Sequence, residues 1–464
     1  MKFKLSLFFG LAILIVACKV QAPKRTIILK SGLKDIKYSI NGKRSDWHIS
    51  PELKPDVLKV ECLRDSNAVG FKTDVDSIFF SVSVHDTISF IVLLNGRDTA
   101  YTQIIGIEKN VNFSAAYIQE HKGKFEVAVP EVHELANILV AIGKIGQLDS
   151  NMVDMTTPYY KKVMQTFLPF ANHPAVAVIN KNITKVMDDY SYGYYYALKM
   201  NACGYVFNEQ NEIINKGNVK RMGFDAPDDP FLINSKIFAD FAKVSNFRMF
   251  YQANKNYYDS LVALYRQLNP IDKMQKWLEK KFGFSYGNYC VYFSPLIGGA
   301  HATTRFADNG FEQTYMFVCR AEKYPNRNDA LNEMINSRVV FTEIDHNFIN
   351  PVTDKYTQQV NKAFADRKKW VKETSSNGTS MYGSPYAVFN EYMTFAFYSL
   401  YCLENFNPKE ALSMIQIMEK MMADGRSFIH FKAFNEKLIS LYASKKSISV
   451  DELYREMLNW SEKQ

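Results

Sequence analysis

The hydrophobic period of this chain changes near residue 123, and that change limits the folds it can adopt. Residues 77–84 and 87–94 are rich in β-branched and aromatic residues, as β-strands are. From about residue 125 onward, apolar residues recur at helical spacing. The sequence therefore predicts an α+β protein, with a β-rich domain over residues 25–122 and a helix-rich domain over residues 123–464.

Two dipeptides divide the strand-like segments of the first domain. Asn41-Gly42 and Asn95-Gly96 are pairs that favour two-residue hairpin turns, in which both residues adopt positive φ. Hairpins join antiparallel neighbours, so we expect an antiparallel β-sandwich-like domain. Nothing in it points to catalysis.

Long helical segments dominate the second domain. Helices are predicted over residues 130–145, 159–170, 180–200, 234–244 and 259–282, and again after residue 328. One short β element interrupts them, because strand-like residues 289–294 and 313–319 flank a glycine-bearing stretch. The predicted domain is therefore α+β and rich in helices.

The N-terminus has the features of an export signal. Lys2 and Lys4 precede an apolar run over residues 5–16, which is twelve residues long. A membrane-spanning helix needs about 20 residues, so the run suits the apolar region of a signal peptide. The run leads into the residues IVAC at positions 15–18, which resemble a lipobox. We therefore predict a signal peptide over residues 1–17.

Cys18 then becomes the lipidated first residue of the mature protein, followed by a tether over residues 18–24. A rival cleavage after Ala22 would put Pro23 beside the scissile bond, where signal peptidases tolerate proline poorly. Two acyl chains on Cys18 would anchor the protein durably to a membrane. The tether carries no acidic pair, which favours the periplasmic face of the cell envelope, with an outer-membrane anchor, and leaves surface exposure open.

The charge of the chain excludes one class of partner. Removal of residues 1–17, which hold two lysines and no acidic residue, lowers the formal charge from +8 to +6. No run of five or six like charges occurs, so the sequence predicts no nucleic-acid partner.

One helix carries the pattern with the strongest chemical meaning. The pentad TEIDH, at positions 342–346, differs at one place from HExxH, in which two imidazoles one turn apart bind zinc and the glutamate is the general base. Glu343 holds the base position and His346 the second histidine, but Thr342 stands where the first histidine would be. Asn328 can cap this helix, and Pro351 predicts its end near residue 350.

A second helix supplies a further candidate ligand. Residues 386–402 are apolar almost all round, which predicts a buried helix, and Glu391 carries its one charge. A buried carboxylate needs a cation or hydrogen-bond donors. Glu391 follows His346 by 45 residues, a separation that requires an inserted segment such as the loop around residues 375–380. If no metal is bound, the Glu391 carboxylate would have to accept hydrogen bonds from His346, a tyrosine or a backbone amide.

These segments together resemble a family of bacterial lipoproteins whose domain of unknown function has gluzincin-like features. The resemblance rests on three stretches: PEVHELAN at 130–137, TEIDHNFINP at 342–351 and NEY at 390–392. It implies a thermolysin-like metallopeptidase fold, with Glu343 as general base and His346 and Glu391 as zinc ligands. The departure at Thr342 leaves a vacated ligand position, because threonine is a poor zinc ligand.

Two further residues are candidates for the same site. His301, in the glycine-bearing stretch, is a possible substitute for the missing ligand, because an edge strand lies along the cleft of gluzincin-like proteins. Tyr386, at the start of the Glu391 helix, is a candidate donor to a tetrahedral oxyanion, and Tyr382 is a second one.

Three functions follow from these observations. The first is a zinc-dependent peptidase of the cell envelope, in which Glu343 deprotonates a zinc-bound water that attacks a peptide carbonyl. The second is an inactive pseudopeptidase whose cleft binds peptides or a partner protein. In the third, the β-rich domain is the binding part and the helical domain is its scaffold.

Overall fold

A computed structural model describes residues 26–464, apart from 52, 54, 63–66, 184, 187–188, 191, 224–228, 373–381 and 446–447. The signal peptide, the tether, Cys18 and the loop around residues 375–380 lie outside the described residues. The chain forms two compact units, Met1–Asn110 and Val111–Gln464. No helix of the described residues is both long enough and apolar enough to cross a membrane.

The first unit consists of eight strands in the part of it that is described. They are β1 (Ile28–Ser31), β2 (Asp35–Ile40), β3 (Lys43–His48), β4 (Asp56–Cys62), β5 (Asn67–Lys72), β6 (Ser77–Val82), β7 (Thr87–Leu94) and β8 (Asp98–Glu108). They form two sheets, in the orders β1-β7-β8-β4 and β3-β2-β5-β6. The predicted antiparallel pairing is correct for the second sheet and wrong for part of the first, where β1–β7 and β4–β8 are parallel. Hairpin signals report only on strands that are neighbours in the chain, and these two pairs are not.

The two sheets of the first unit share one hydrophobic core, as in a sandwich. Trp47 of one sheet lies 6.3 Å from the Phe90 ring of the other, and Phe71 lies 5.2 Å from the same ring. Both predicted turns are confirmed. Asn41-Gly42 joins β2 to β3 and Asn95-Gly96 joins β7 to β8, with positive φ at all four residues.

The second unit begins earlier than the predicted boundary. Helix α1 (Ala115–His121) precedes residue 123 but belongs to this unit. The Phe113 amide donates to the Asp308 carboxylate at 2.9 Å, which ties the start of the unit to a segment far along the chain. Such contacts between distant residues leave no signal in a local hydrophobic period.

Helices make up most of the second unit. After α1 they are α2 (Glu131–Ile142), α3 (Pro158–Phe167), α4 (Pro174–Asn182), α5 (Tyr192–Ala202), α6 (Pro230–Val244), α7 (Phe247–Ala253), α8 (Lys255–Leu268), α9 (Ile271–Phe282), α10 (Asp329–Lys355), α11 (Thr357–Ala363), α12 (Pro385–Asn405), α13 (Pro408–Lys420), α14 (Phe431–Ser444) and α15 (Val450–Ser461). A helix-rich α+β organisation is thus confirmed.

The strands of this unit form one larger sheet and two hairpins among the described residues. They are β9 (Lys124–Ala128), β10 (Lys185–Val186), β11 (Asp189–Tyr190), β12 (Tyr205–Phe207), β13 (Ile213–Asn215), β14 (Asn288–Ser294), β15 (Ala302–Asp308) and β16 (Phe311–Cys319). The larger sheet has the order β15-β16-β14-β9, with β14 parallel to both neighbours and β15 antiparallel to β16. An antiparallel edge strand therefore follows the glycine-bearing stretch.

Two of the predicted helices are each divided in the structure. The helix predicted over residues 180–200 is wrong as one element, because the β10–β11 hairpin separates α4 from α5. The helix predicted over residues 259–282 is interrupted at Pro270, between α8 and α9. Proline lacks an amide donor and clashes with the preceding helical turn.

The helix that carries the pentad does not end before its proline, as predicted, but continues through Pro351 to Lys355. A proline at position 351 removes the amide that would bond the carbonyl of Asn347 one turn earlier. That carbonyl instead accepts a hydrogen bond from the Tyr286 hydroxyl at 2.5 Å, and Arg305 lies 3.4 Å away. Side chains from outside the helix therefore satisfy the group that proline leaves unpaired.

Candidate functional site

Helix α10 presents the pentad towards the interior of the second unit. Its N-cap, Asn328, accepts a hydrogen bond from the Leu331 amide, as such a residue is expected to do at a helix start. Thr342 is buried, whereas Glu343 and His346 are partly exposed. The two polar groups of the pattern thus face a space that solvent or a ligand can enter.

Helix α12 supplies the carboxylate that the sequence singled out. The helix is buried along nearly its whole length, and it begins with Ser384 as its cap. Glu391 is 5% exposed, and its Oε2 lies 3.6 Å from Nε2 of His346. The two side chains, from separate hydrophobic helices, therefore meet at one place.

Two more groups complete what we call the Glu391 cluster: His346, Tyr382, Glu391 and Arg426. Nη2 of Arg426 lies 2.6 Å from Oε1 of Glu391, and the Tyr382 hydroxyl donates to the same oxygen at 3.1 Å. Arg426 also donates to the Tyr382 hydroxyl at 2.5 Å. One carboxylate oxygen therefore faces an imidazole, and the other is held by a guanidinium and a phenol.

These contacts set the charge of the cluster. Burial opposes ionisation of Glu391, but the charge of Arg426, the proximity of His346 and the donated hydrogen bonds outweigh it, and the pKa of Glu391 falls below 4.5. Burial and the charge of Arg426 together lower the pKa of His346, although Glu391 opposes them. At neutral pH, Glu391 is ionised and His346 is neutral.

The pKa of Glu343 is shifted in the opposite direction to that of Glu391. Burial, and next the negative charge of Glu391, raise the pKa of Glu343 to about 8, and Arg426 only partly offsets them. At pH 7 the protonated carboxyl predominates. In this state Glu343 can donate a proton, and it becomes a base only when its carboxyl is ionised.

Neither Thr342 nor its possible substitute His301 is placed as a metal ligand. The Thr342 hydroxyl donates to the carbonyl of Val339 at 3.0 Å, so it is used within its own helix. His301, the proposed substitute, lies before β15, and its Nε2 bonds the carbonyl of Gly298 at 3.1 Å. Burial lowers the pKa of His301 to about 4, so the imidazole is neutral. No hydrogen bond or ion pair among the described residues joins His301 to the Glu391 cluster, although the charge of Arg426 helps to lower its pKa.

The donor set of the cluster does not fit a zinc ion. Zinc sites use three or four protein ligands at about 2 Å. In the described part of the chain, no three histidine, cysteine or acidic side chains come together in a way that could hold a metal. One oxygen of Glu391 is already occupied by the guanidinium of Arg426. His346 and Glu391 provide two ligands at most, which is fewer than a zinc site uses.

Of the two candidate tyrosines, the structure brings Tyr382 and not Tyr386 to Glu391. The Tyr386 hydroxyl donates to the carboxylate of Asp354 at 2.8 Å and lies 3.3 Å from the carbonyl of Asn350. Residues five apart on a helix point about 140° apart, so Tyr386 and Glu391 lie on different faces of α12. The predicted oxyanion role of Tyr386 does not match this placement.

A cavity of about 560 Å³ lies beside the pentad. Ile335, Arg338 and Val339 of α10 line one side, and the glycine-bearing stretch with His301 lines the other. Strand β15 continues from that stretch and is held next to α10, where the Asn347 amide donates to the Thr303 hydroxyl at 3.1 Å. The cavity, the edge strand and the pentad helix are thus neighbours.

Arg426 is the member of the Glu391 cluster that the sequence did not indicate. It follows a π-helical turn, Met421–Gly425, and its amide donates to the Met421 carbonyl at 2.9 Å. Such turns occur frequently at functional sites. No periodic pattern of residue types marks this segment, so only the folded chain identifies Arg426 as the partner of Glu391.

Comparison with known proteins adds no relative. No family model and no curated protein matches the sequence, and no solved structure matches the fold. Inference about function therefore rests on the residues and contacts of this chain.

Proposed function

We propose that this protein is a lipid-anchored pseudopeptidase of the cell envelope, with a thermolysin-like frame whose cleft binds peptides. The observation that carries this proposal is the position of Arg426, 2.6 Å from the carboxylate that would otherwise be a zinc ligand. Of the three functions predicted from sequence, the inactive binding module agrees best with this contact.

The arrangement around α10 supports the frame. The HExxH-like helix lies beside an antiparallel edge strand, β15, and packs against the helix that carries Glu391. A gluzincin-like protein requires these elements in this chain order: edge strand, pentad helix, glutamate helix. These elements agree with a thermolysin-like frame in which the ligand set has changed.

The guanidinium accounts for the loss of the metal in physical terms. A buried carboxylate needs a positive partner, and in a gluzincin zinc supplies that charge. Here Arg426 supplies it with a fixed, planar donor group. A guanidinium has no open coordination position, so it does not lower the pKa of a bound water as zinc does. The carboxylate is thereby stabilised while the hydrolytic function is lost.

Peptide binding is the function that remains for the cleft. Strand β15 pairs with β16 on one side, and no described strand pairs with its other side. A free strand edge offers backbone donors and acceptors to an extended peptide. Thr303, in this strand, accepts a hydrogen bond from the side chain of Asn347, the residue after His346, so a peptide bound to β15 would lie near the pentad helix.

Metal titration tests the proposal. We expect wild-type protein to bind no zinc at micromolar concentration in isothermal titration calorimetry. The double substitution Thr342→His and Arg426→Ala restores the first histidine and frees Glu391, so it should bind zinc at one equivalent. Thr342→His alone is the matched control and should bind far more weakly, because Arg426 still occupies the carboxylate.

Two results would overturn the proposal. One is wild-type protein that is purified with a molar equivalent of zinc and loses it on Glu391→Ala. The other is the double variant binding no zinc while remaining folded by circular dichroism, because then His346 and Glu391 do not form part of a gluzincin-like site.

A further inference from the structure

One arginine in the cavity beside the pentad has no anionic partner. Arg338, on α10 one turn before Thr342, lines the cavity and is partly buried. Among the described residues, its guanidinium makes no hydrogen bond and no ion pair. Its contact is with the ring of Phe395, whose centre lies 5.8 Å away. Buried guanidinium groups are ordinarily paired with carboxylates or carbonyls.

The other charged groups of the cavity are already engaged. Arg320 lies 3.5 Å from Asp154 and 3.4 Å from Glu322, so these two carboxylates belong to it. His301 is neutral, because burial lowers its pKa to about 4. Burial lowers the pKa of Arg338, and the charge of Arg426 also lowers it, although Tyr398 opposes them. Arg338 is thus the cation of this cavity that lacks a counter-ion in the described structure.

One aromatic side chain contacts both Arg338 of the cavity and Arg426 of the Glu391 cluster. The centre of the Phe395 ring on α12 lies 5.0 Å from the guanidinium of Arg426 and 5.8 Å from that of Arg338. His301, on the cavity wall, immediately precedes the first residue of β15. A chain lying along β15 therefore reaches the cavity at the end near His301.

The walls beside Arg338 are apolar. Ile335 and Val339 flank it on α10, and Ile297 and Tyr265 line the cavity as buried residues. A volume of about 560 Å³ lies within the range of sites that hold a small molecule or a short peptide. A ligand that fits must bring a negative charge and an apolar group close together.

We propose that Arg338 binds the C-terminal carboxylate of a peptide, so that the cavity is the subsite for the last residue. A C-terminal residue carries a carboxylate and an apolar side chain on the same Cα, as the lining requires. An internal Asp or Glu offers the charge without the adjacent apolar group. The inference rests on the proposed peptide-binding function and specifies which end of the peptide is recognised.

The test compares free acids with amides. Full-length lipidated protein in detergent is equilibrated with two pools of random N-acetylated hexapeptides, one with free C-terminal carboxylates and one amidated, and retained peptides are quantified by mass spectrometry. A hydrogen-bonded charge pair contributes enough for a preference of about 10- to 100-fold. We expect wild type to retain acids over amides by this factor, with apolar last residues enriched.

Substitutions identify the residue responsible. Arg338→Met should abolish the preference for acids, whereas Arg338→Lys, which keeps the charge, should retain part of it. Arg327→Met is the matched control: it removes the charge of an exposed arginine that does not line the cavity, so it should leave the preference unchanged. The Lys variant also serves if the Met variant fails to fold.

Each outcome decides a different claim. Equal retention of acids and amides by wild type, or an acid preference that survives Arg338→Met, overturns the role of Arg338 and leaves peptide binding intact. If neither pool binds to any form of the protein, the peptide-binding function itself fails, and the carboxylate subsite fails with it.

Discussion

Removal of Arg426 is the perturbation that most directly probes the buried ion pair. Arg426→Met keeps the length of the side chain and deletes its charge and donors. The Glu391 side chain is 7% exposed and would lose the cation 2.6 Å from its Oε1. Two unit charges about 4 Å apart near a protein surface interact by about 4 kcal/mol, and breaking a buried pair costs about 3–5 kcal/mol.

We expect the free energy of unfolding to fall by about 3 kcal/mol, the lower end of that range. The reason is that the Arg426 side chain is 26% exposed and Tyr382 still donates to the carboxylate. Urea unfolding followed by circular dichroism at 222 nm measures this loss, because the helices of the described residues lie in the second unit.

The loss should also depend on pH. The folded-state pKa of Glu391 lies below 4.5, so its contribution is present above about pH 4.5 and is lost as pH falls through the folded value. In Arg426→Met the dominant remaining influence is burial, which raises that pKa. The difference in stability between wild type and variant should therefore be largest at neutral pH, should begin to shrink as pH falls through the raised pKa of the variant, and should keep shrinking down to the folded pKa of wild type.

Two controls make the result specific. Lys420→Met, an exposed basic residue at the end of α13, should change stability by less than about 0.5 kcal/mol. The double variant Glu391→Gln and Arg426→Met should be at least about 1.5 kcal/mol more stable than the sum of the single changes predicts. Additive single changes, or a loss under about 1 kcal/mol at neutral pH, would refute the assignment of Arg426 as the cation of Glu391.

Two further predictions concern the pentad helix and the anchor. Tyr286→Phe should lower the free energy of unfolding by about 1–2 kcal/mol, because it removes the donor to the Asn347 carbonyl. Adding Pro351→Ala restores the backbone amide, so it should recover part of this loss in thermal unfolding. Fully additive effects of the two changes would contradict the proposed role of the Tyr286 hydroxyl. Cys18→Ser should move the protein from the membrane fraction to the soluble fraction on immunoblots, and unchanged membrane association would contradict lipid anchoring.

The sequence anticipated the types of element better than their limits. Asn-Gly pairs predicted two turns that the structure contains, because their backbone preference is local. The apolar residues around Glu391 predicted a buried helix, and α12 is one. The stop expected at Pro351 was wrong, because the stop depends on whether anything else bonds the freed carbonyl. Here the Tyr286 hydroxyl does so, from outside the helix.

For the candidate site too, the sequence identified some residues correctly but not their contacts. The pentad pattern indicated Glu343 and His346 on one helix, and the single charge of an apolar helix made Glu391 a candidate ligand. Their meeting is confirmed by the 3.6 Å separation of His346 and Glu391. The contacts of His301 with Gly298 and of Tyr386 with Asp354 could not be predicted, since no local pattern fixes the direction of either side chain.

By itself, the sequence indicated the two-part organisation, and it predicted the export signal and the pentad helix, because each depends on neighbours a few positions apart. Only the tertiary structure decided which cation meets Glu391 and which arginine, Arg338, is left without an anion. Arg426 lies far from Glu391 along the chain, and an ion pair forms wherever folding brings opposite charges together in a low-dielectric interior. The chemistry of the cleft therefore follows from long-range packing.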